Sequence, residues 1–161
     1  MLAWVPIAGA ETEQETQAQA TLERFKSVDA GIADLMEGSV GYVVFPEIEK
    51  GAILVGAAHG KGVVYEGGEM VGTATVSQGT VGLQLGAQVY SQLMFFGTQP
   101  ALDQFKANKW AWHGEASAVA AKSGAAASTE FKNGVAIFIT DQKGAMASLS
   151  VGGQKFEFTP K

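Results

Sequence analysis

The spacing of apolar residues changes near residue 40. Residues 11–26 contain neither glycine nor proline, and helix formers dominate them. Ala18, Leu22 and Phe25, continued by Val28, fall four, three and three apart, which predicts a helix with a narrow apolar stripe. Asp29 is placed to cap a short second helix, with Ile32, Leu35 and Met36 inward and Gly38 as its end. From Gly41 the pattern becomes that of strands. Residues 41–45 form an apolar run stopped by Pro46, and residues 52–55 and 62–65 are similar. Gly67-Gly68 suits a two-residue hairpin turn, with residues 70–76 as the return strand.

The cleanest alternation covers residues 81–93. Val81, Leu83, Leu85, Ala87, Val89 and Leu93 share one face, while glycines, glutamines and Tyr90 share the other. Glycine on that second face implies strong coiling or another backbone lying close against it. Residues 100–106 predict a short helix with Ala101, Leu102 and Phe105 inward. Asn133-Gly134, Lys143-Gly144 and Gly152-Gly153 punctuate three further strands over 135–140, 145–151 and 154–158. The expected fold is α+β: N-terminal helices, then a coiled, mainly antiparallel, glycine-rich sheet or partial barrel with one further short helix.

Composition narrows the function classes. With 161 residues, 47% apolar and 17% charged, the chain has the material for one domain with a real core. Eleven bases against 16 acids argue against a general nucleic-acid binder. The absence of cysteine excludes thiol catalysis and cysteine-ligated metal, and two histidines are too few for a His-rich metal site. Neither a metal nor a cofactor is expected. Residues 1–37 carry seven acids and two bases, whereas the rest balances to zero and holds 19 of the 21 glycines. These two regimes are not two domains, because 37 residues cannot bury an independent core. Residues 11–161 are therefore expected to fold as a single unit. Residues 1–10 are apolar and end in Ala8-Gly9-Ala10, the small-x-small pattern of a signal-peptidase site. They predict the remnant of a secretory signal or a disordered extension, and with it an exported or periplasmic protein.

Candidate chemistry is sparse. In residues 55–62, Gly56 and the Gly60-Lys61 pair are separated by three residues rather than the four of a P-loop, and Gly62 stands where a hydroxyl is required. Two readings stay open for this segment: a tight turn between strands, or a backbone-amide nest in which Lys61 helps hold an anionic headgroup. Serine never occurs in a Gly-x-Ser-x-Gly elbow, His59 and His113 lack an evident third ligand, and Glu47 and Glu49 look solvated beside a proline turn. No catalytic residue is assigned, and an enzyme is not expected. Lys106, Lys109, Trp110 and Trp112 form an aromatic-basic stretch in which the two tryptophans share a face if the chain is extended. Such a stretch suits a membrane interface, with rings at headgroup depth and ammonium groups on phosphates. Equally, both rings could belong to the core at the end of the sheet.

The run GYVVFPEIEKGAILVGAAHGKGVVY, followed by SQGTVGLQLGAQVYSQLMFF, resembles the SYLF domain, also described as the Las17-binding or actin-regulator family. ALDQFKANKWAWHGEASAVAAKSGAA and KNGVAIFITDQKGAMASLSVGGQKFEF continue the resemblance in order, so that it spans roughly residues 20–158. It implies a phospholipid-binding module. In eukaryotic members it implies phosphoinositide membranes as the partner, in fungal members also actin, and in bacterial members an exported, envelope-associated protein. The acidic, weakly amphipathic N-terminal helix departs from the membrane-contacting helix proposed for eukaryotic relatives. Actin binding is therefore not expected, and headgroup preference is not carried over. The sequence thus predicts a non-catalytic lipid-binding domain of the bacterial envelope, peripheral to a membrane, with Lys61, Lys106 and Lys109 on phosphates and Trp110 and Trp112 in the interface. The alternative is a structural or interaction module whose partner is another envelope protein.

Overall fold

The computed structural model describes residues 5–50, 58–78, 89–107, 117–120, 124–129, 131, 134–141, 148–150 and 154–161. Two helices lead, α1 (Val5–Val28) and α2 (Gly31–Gly38). Strands β1 (Gly41–Lys50), β2 (Ala58–Glu66), β3 (Glu69–Gln78) and β4 (Val89–Phe96) follow, then helix α3 (Gln99–Lys106). Strand β5 (Ser117–Ala120), a 3₁₀ turn (Ala126–Ser128), and strands β6 (Val135–Asp141), β7 (Ser148–Ser150) and β8 (Gln154–Pro160) complete the chain. The strands form one sheet in the order β7-β5-β6-β4-β1-β2-β3-β8. Every neighbouring pair is antiparallel except β5 with β6. The α+β architecture expected from the sequence is the one observed.

The sheet is strongly coiled, and the connectivity demands it. Strands β7 and β8 stand at opposite ends of the strand order, yet three residues link Ser150 to Gln154. Four residue steps reach at most about 14 Å. Eight strands laid flat would hold their edges roughly 34 Å apart at the usual inter-strand spacing. The sheet therefore curls back toward itself, although no ladder joins β7 to β8 among the described residues, and it stays an open sheet.

The curl divides the core in two. Inside it, Val43, Phe45, Ile48, Val64, Val76, Tyr90, Met94, Phe96 and Phe156 enclose Leu102 and Phe105 of α3. On the outer face, Tyr42, Val44, Val63, Leu93, Phe95 and Phe138 receive Ala18, Leu22 and Phe25 of α1 and Ile32 of α2. The predicted stripe of α1 is thus its buried face as far as Phe25. Val28, expected to continue it, is 38% exposed because the helix ends there and the chain turns away. Helix α1 starts at Val5, six residues before the predicted start.

Tight coiling requires close backbones, and Gly60 and Gly62 supply them from the inner side of β2. A Cβ on Gly62 would lie 2.6 Å from the Val44 carbonyl oxygen and 2.7 Å from the Phe45 ring, and one on Gly60 would lie 2.5 Å from the Glu47 carbonyl oxygen. Only a residue without a side chain lets the β1 rings lie over its backbone. The predicted hairpin turn is present, with Gly67 and Gly68 both at positive φ (63° and 85°), as a type I′ turn needs.

Several sequence expectations need correction. Pro46 does not end its strand, for β1 runs on to Lys50 past a bulge at which the register with both β2 and β4 shifts. A proline without an N–H is tolerated at a bulge, where the ladder is already interrupted. The Ser91 hydroxyl donates to the freed Pro46 carbonyl at 2.7 Å. The N-cap of α2 is Ala30, one residue after the expected Asp29; Asp29 itself is buried, accepting from Gly31 N–H at 3.1 Å and from Ala126 N–H, 97 residues away, at 2.6 Å. It ties the α1–α2 corner to the 3₁₀ turn. Strand β4 agrees with its expected close packing rather than needing correction: Tyr90 and Gln92, on the second face of the alternation, are buried toward the enclosed core. Predicted strand 52–55, the first part of the 81–93 alternation, and the turns at 143–144 and 152–153 lie outside the described residues.

Candidate functional site

Beyond the reach of α1, the outer face of β1, β2, β3 and β8 is open. Pro46 reverses the alternation of β1, so Glu47 and Glu49 point outward while Ile48 stays in the inner core. Gly60 and Gly62 occupy the inner side of β2, which sends His59 and Lys61 outward. In β3 and β8 the inward residues are Ala74, Val76 and Phe156, leaving Thr75, Ser77, Lys155 and Glu157 outside. Register then aligns these side chains in two rows across four strands. Glu47, Lys61, Thr75 and Glu157 form one, and Glu49, His59, Ser77 and Lys155 form the next. All eight are exposed. Neighbours within a row stand about 4.8 Å apart and rows about 6.8 Å apart at the backbone. Over the β3–β8 pair this surface dips into a shallow hollow of 340 Å³ lined by Thr75, Ser77, Lys155, Phe156 and Glu157.

The closed part of the outer face has a different character. Tyr42 and Tyr65 stack with ring centroids 5.0 Å apart. Burial raises the pKa of both phenols, with the neighbouring phenol adding to the rise at Tyr42. At Tyr65, burial outweighs the opposing influence of the nearby Gln19 side chain of α1, and the buried hydroxyl has no hydrogen-bond partner among the described residues. At the boundary between closed and open parts, the half-buried Arg24 of α1 donates to the Ser91 hydroxyl beside the Pro46 bulge.

Of the sequence-predicted residues, Lys61 and Lys106 are described, and these two are not brought together. Lys61 lies in the middle of β2, opposite Glu47 on one side and Thr75 on the other. Of the segment 55–62, Ala58 to Gly62 belong to strand β2 and so form neither the tight turn nor the backbone nest, while residues 55–57 lie outside the described residues. Lys106 closes the last turn of α3 and pairs with Glu66 at 2.5 Å, both side chains being 28% exposed. Glu66 also accepts from Gln99 at 3.1 Å. The Lys106 hydrogen bond, helped by Gln99, holds the Glu66 carboxyl below its ordinary range against a smaller opposing effect of burial. Five residues of β2 separate Glu66 from Lys61, a rise of about 17 Å. Lys106 is therefore committed to an intramolecular ion pair away from Lys61. Lys109, Trp110 and Trp112 lie outside the described residues.

Sequence reasoning passed over Thr75, Lys155 and Glu157. Their signal was present in the alternation of polar with apolar or small residues over 73–77 and 155–159. What it lacked was the register that sets β8 beside β3. Among the described residues, no three His, Asp or Glu side chains cluster as metal ligands would. Likewise, no described helix is long and apolar enough to cross a membrane.

Comparison with known proteins gives one family. Residues 77–160, just over half of the chain, match the model of the Ysc84 family, described as Las17-binding protein actin regulator. The match runs from the end of β3 through β8 and includes Ser77, Lys155 and Glu157. No curated protein matches the chain.

Proposed function

The chain belongs to the Ysc84 family of Las17-binding, actin-regulator domains, and from that premise we propose that it is a non-catalytic domain that docks on a phospholipid surface. The phospholipid partner comes from the resemblance of the whole 20–158 run to the SYLF domain. The observation that carries the reading is the open outer half of the sheet, where eight polar side chains stand in register on a rigid, coiled support. Peripheral binding suits such a surface, because headgroups are met by side chains projecting from a fixed backbone and no lid or cleft is required. Lys61 supplies a cation at the centre of that surface. Lys109, Trp110 and Trp112 would add an interfacial contact, whereas Lys106 is withdrawn by Glu66. The signal-like pattern of residues 1–10 supports reading this activity as one exerted outside the cytoplasm.

Vesicle flotation tests the proposal. Wild type should rise with the vesicles, and Lys61→Ala or the double substitution Trp110→Ala/Trp112→Ala should leave more protein at the bottom of the gradient. Equal flotation of all variants would remove these residues from the interface, and failure of wild type to float would end the reading.

A second reading is favoured by the family's description, which names a protein as its members' partner. The acidic segment 1–37 suits a basic protein better than an anionic bilayer. Crosslinking in envelope extract separates the two: a stoichiometric protein partner together with no vesicle binding would favour this second reading.

A further inference from the structure

Resting on the lipid-docking reading, we infer that the shallow hollow over the β3–β8 pair is a headgroup site for a zwitterionic phospholipid bearing a primary ammonium, of the phosphatidylethanolamine type. The floor of this 340 Å³ hollow carries Thr75 and Ser77 of β3, with Glu157 and Lys155 of β8 standing beside them as their cross-strand partners. Lys155 and Glu157 point to the same side of β8, two residues apart, which separates their backbone positions by about 6.8 Å. Neither is engaged in an ion pair; the ion pairs among the described residues are Lys26–Glu23 and Lys106–Glu66. The site therefore presents a cation and an anion side by side, with two hydroxyls beside them on the next strand.

That arrangement selects by charge pattern. A phosphate on Lys155 would receive further hydrogen bonds from the Ser77 and Thr75 hydroxyls, and the ammonium carried two carbons away would donate to the Glu157 carboxylate. An anionic headgroup without the ammonium would satisfy Lys155 but set its charge against Glu157 and, one strand over from Thr75 and Ser77, find Lys61 already opposite Glu47. A choline headgroup fails for another reason. Quaternary ammonium groups have no N–H and are recognised by aromatic faces. The aromatic residue of this lining, Phe156, turns its ring away into the inner core, 6.0 Å from Phe45 and 5.4 Å from Phe105. The open face is thus tuned to a neutral, doubly charged ligand, in keeping with a chain whose net charge of −5 would oppose an anionic bilayer.

Flotation on three vesicle compositions decides the matter: phosphatidylcholine alone, with phosphatidylethanolamine added, and with phosphatidylglycerol added. The ethanolamine lipid should raise the bound fraction at least fivefold over phosphatidylcholine alone, and phosphatidylglycerol should not substitute for it. Lys155→Gln and Glu157→Gln, both at exposed positions, should each abolish that gain while leaving the circular dichroism unchanged. Soluble glycerophosphoethanolamine should shift the amide resonances of residues 75, 77, 155 and 157 saturably, and glycerophosphate should not. Binding that ignores ethanolamine, or an ethanolamine preference that survives in both variants, would overturn the site while the broader lipid reading stands. Absence of flotation on all three compositions would remove both.

Discussion

Replacing Gly62 by alanine tests whether close backbone approach is what allows the sheet to coil. The added Cβ would sit 2.6 Å from the Val44 carbonyl oxygen and 2.7 Å from Cδ1 of Phe45. Neither neighbour yields easily. The carbonyl belongs to the β1–β2 ladder, and the Phe45 ring is fully buried against Phe156. Overpacking of this kind costs about 1–3 kcal/mol. Restricting the unfolded chain by replacing a glycine offsets roughly 0.4–1 kcal/mol of that. A net loss of up to about 2.6 kcal/mol corresponds to a fall in Tm of at most roughly 10 °C for a domain of this size. Gly38→Ala is the matched control, since nothing lies within 4 Å of its added Cβ and it closes a helix. That variant should be as stable as wild type or slightly more so. Urea unfolding of the two variants in parallel gives the comparison. If Gly62→Ala unfolds at the same midpoint as Gly38→Ala, close packing over β2 is not what its glycines provide.

Two further outcomes follow from the polar contacts. Glu66→Gln should cost about 0.5–1 kcal/mol near neutral pH, as expected for a partly exposed ion pair. Because the folded carboxyl lies below its unfolded value of 4.5, the wild-type advantage is complete above that pH and disappears as pH falls through the folded value. Midpoints of wild type and variant measured down to acid pH should therefore converge, and a gap that persists or widens would refute the pairing. Asp29→Asn replaces the buried carboxylate that joins Gly31 to Ala126 and should lower stability by roughly 1.5–3 kcal/mol, the range for hydrogen bonds to charged groups. Amide exchange should accelerate at Ala126 in that variant, and unchanged protection there would show that the tie is not what holds the 3₁₀ turn.

Local structure was legible where one physical signal acted alone. The α1 stripe through Ala18, Leu22 and Phe25, the Gly67-Gly68 turn and the α3 triplet Ala101, Leu102 and Phe105 each depend on a few neighbouring residues, and each stands where the pattern places it. Pro46 was misread because a proline in an apolar run signals a strand end and a bulge alike, and the choice depends on β4 lying alongside. Strand β4 was legible for a different reason: its second face, carrying Tyr90 and Gln92, implied coiling or close cover, and a central strand of a coiled sheet is covered on both sides. Asp29 was expected to cap α2, yet Ala30 takes that place and the second partner of Asp29 is 97 residues distant. Of the candidate site, Lys61 was visible in isolation. Its neighbours were not, because Glu47, Thr75 and Glu157 become neighbours through strand order rather than sequence spacing.

The coiling and the open polar face have a common origin. Once glycines let β1, β2 and β3 wrap closely around α3, the apolar residues of these strands are consumed on the inside of the curl. The outer face then needs covering where its residues are apolar, over Tyr42, Val44, Val63 and Leu93, and there α1 lies. Past the Pro46 bulge the outward positions are charged or hydroxylated, and a helix laid over them would bury unpaired polar groups at a cost of several kcal/mol each. So α1 covers part of the sheet, and the boundary falls where Arg24 meets Ser91. The exposed half is consequently the part of the sheet that remains rigid, patterned and wet. Recognition of a headgroup by opposed charges requires those three properties together, which is why Lys155 and Glu157, rather than the lysine committed to Glu66, are the residues to substitute first.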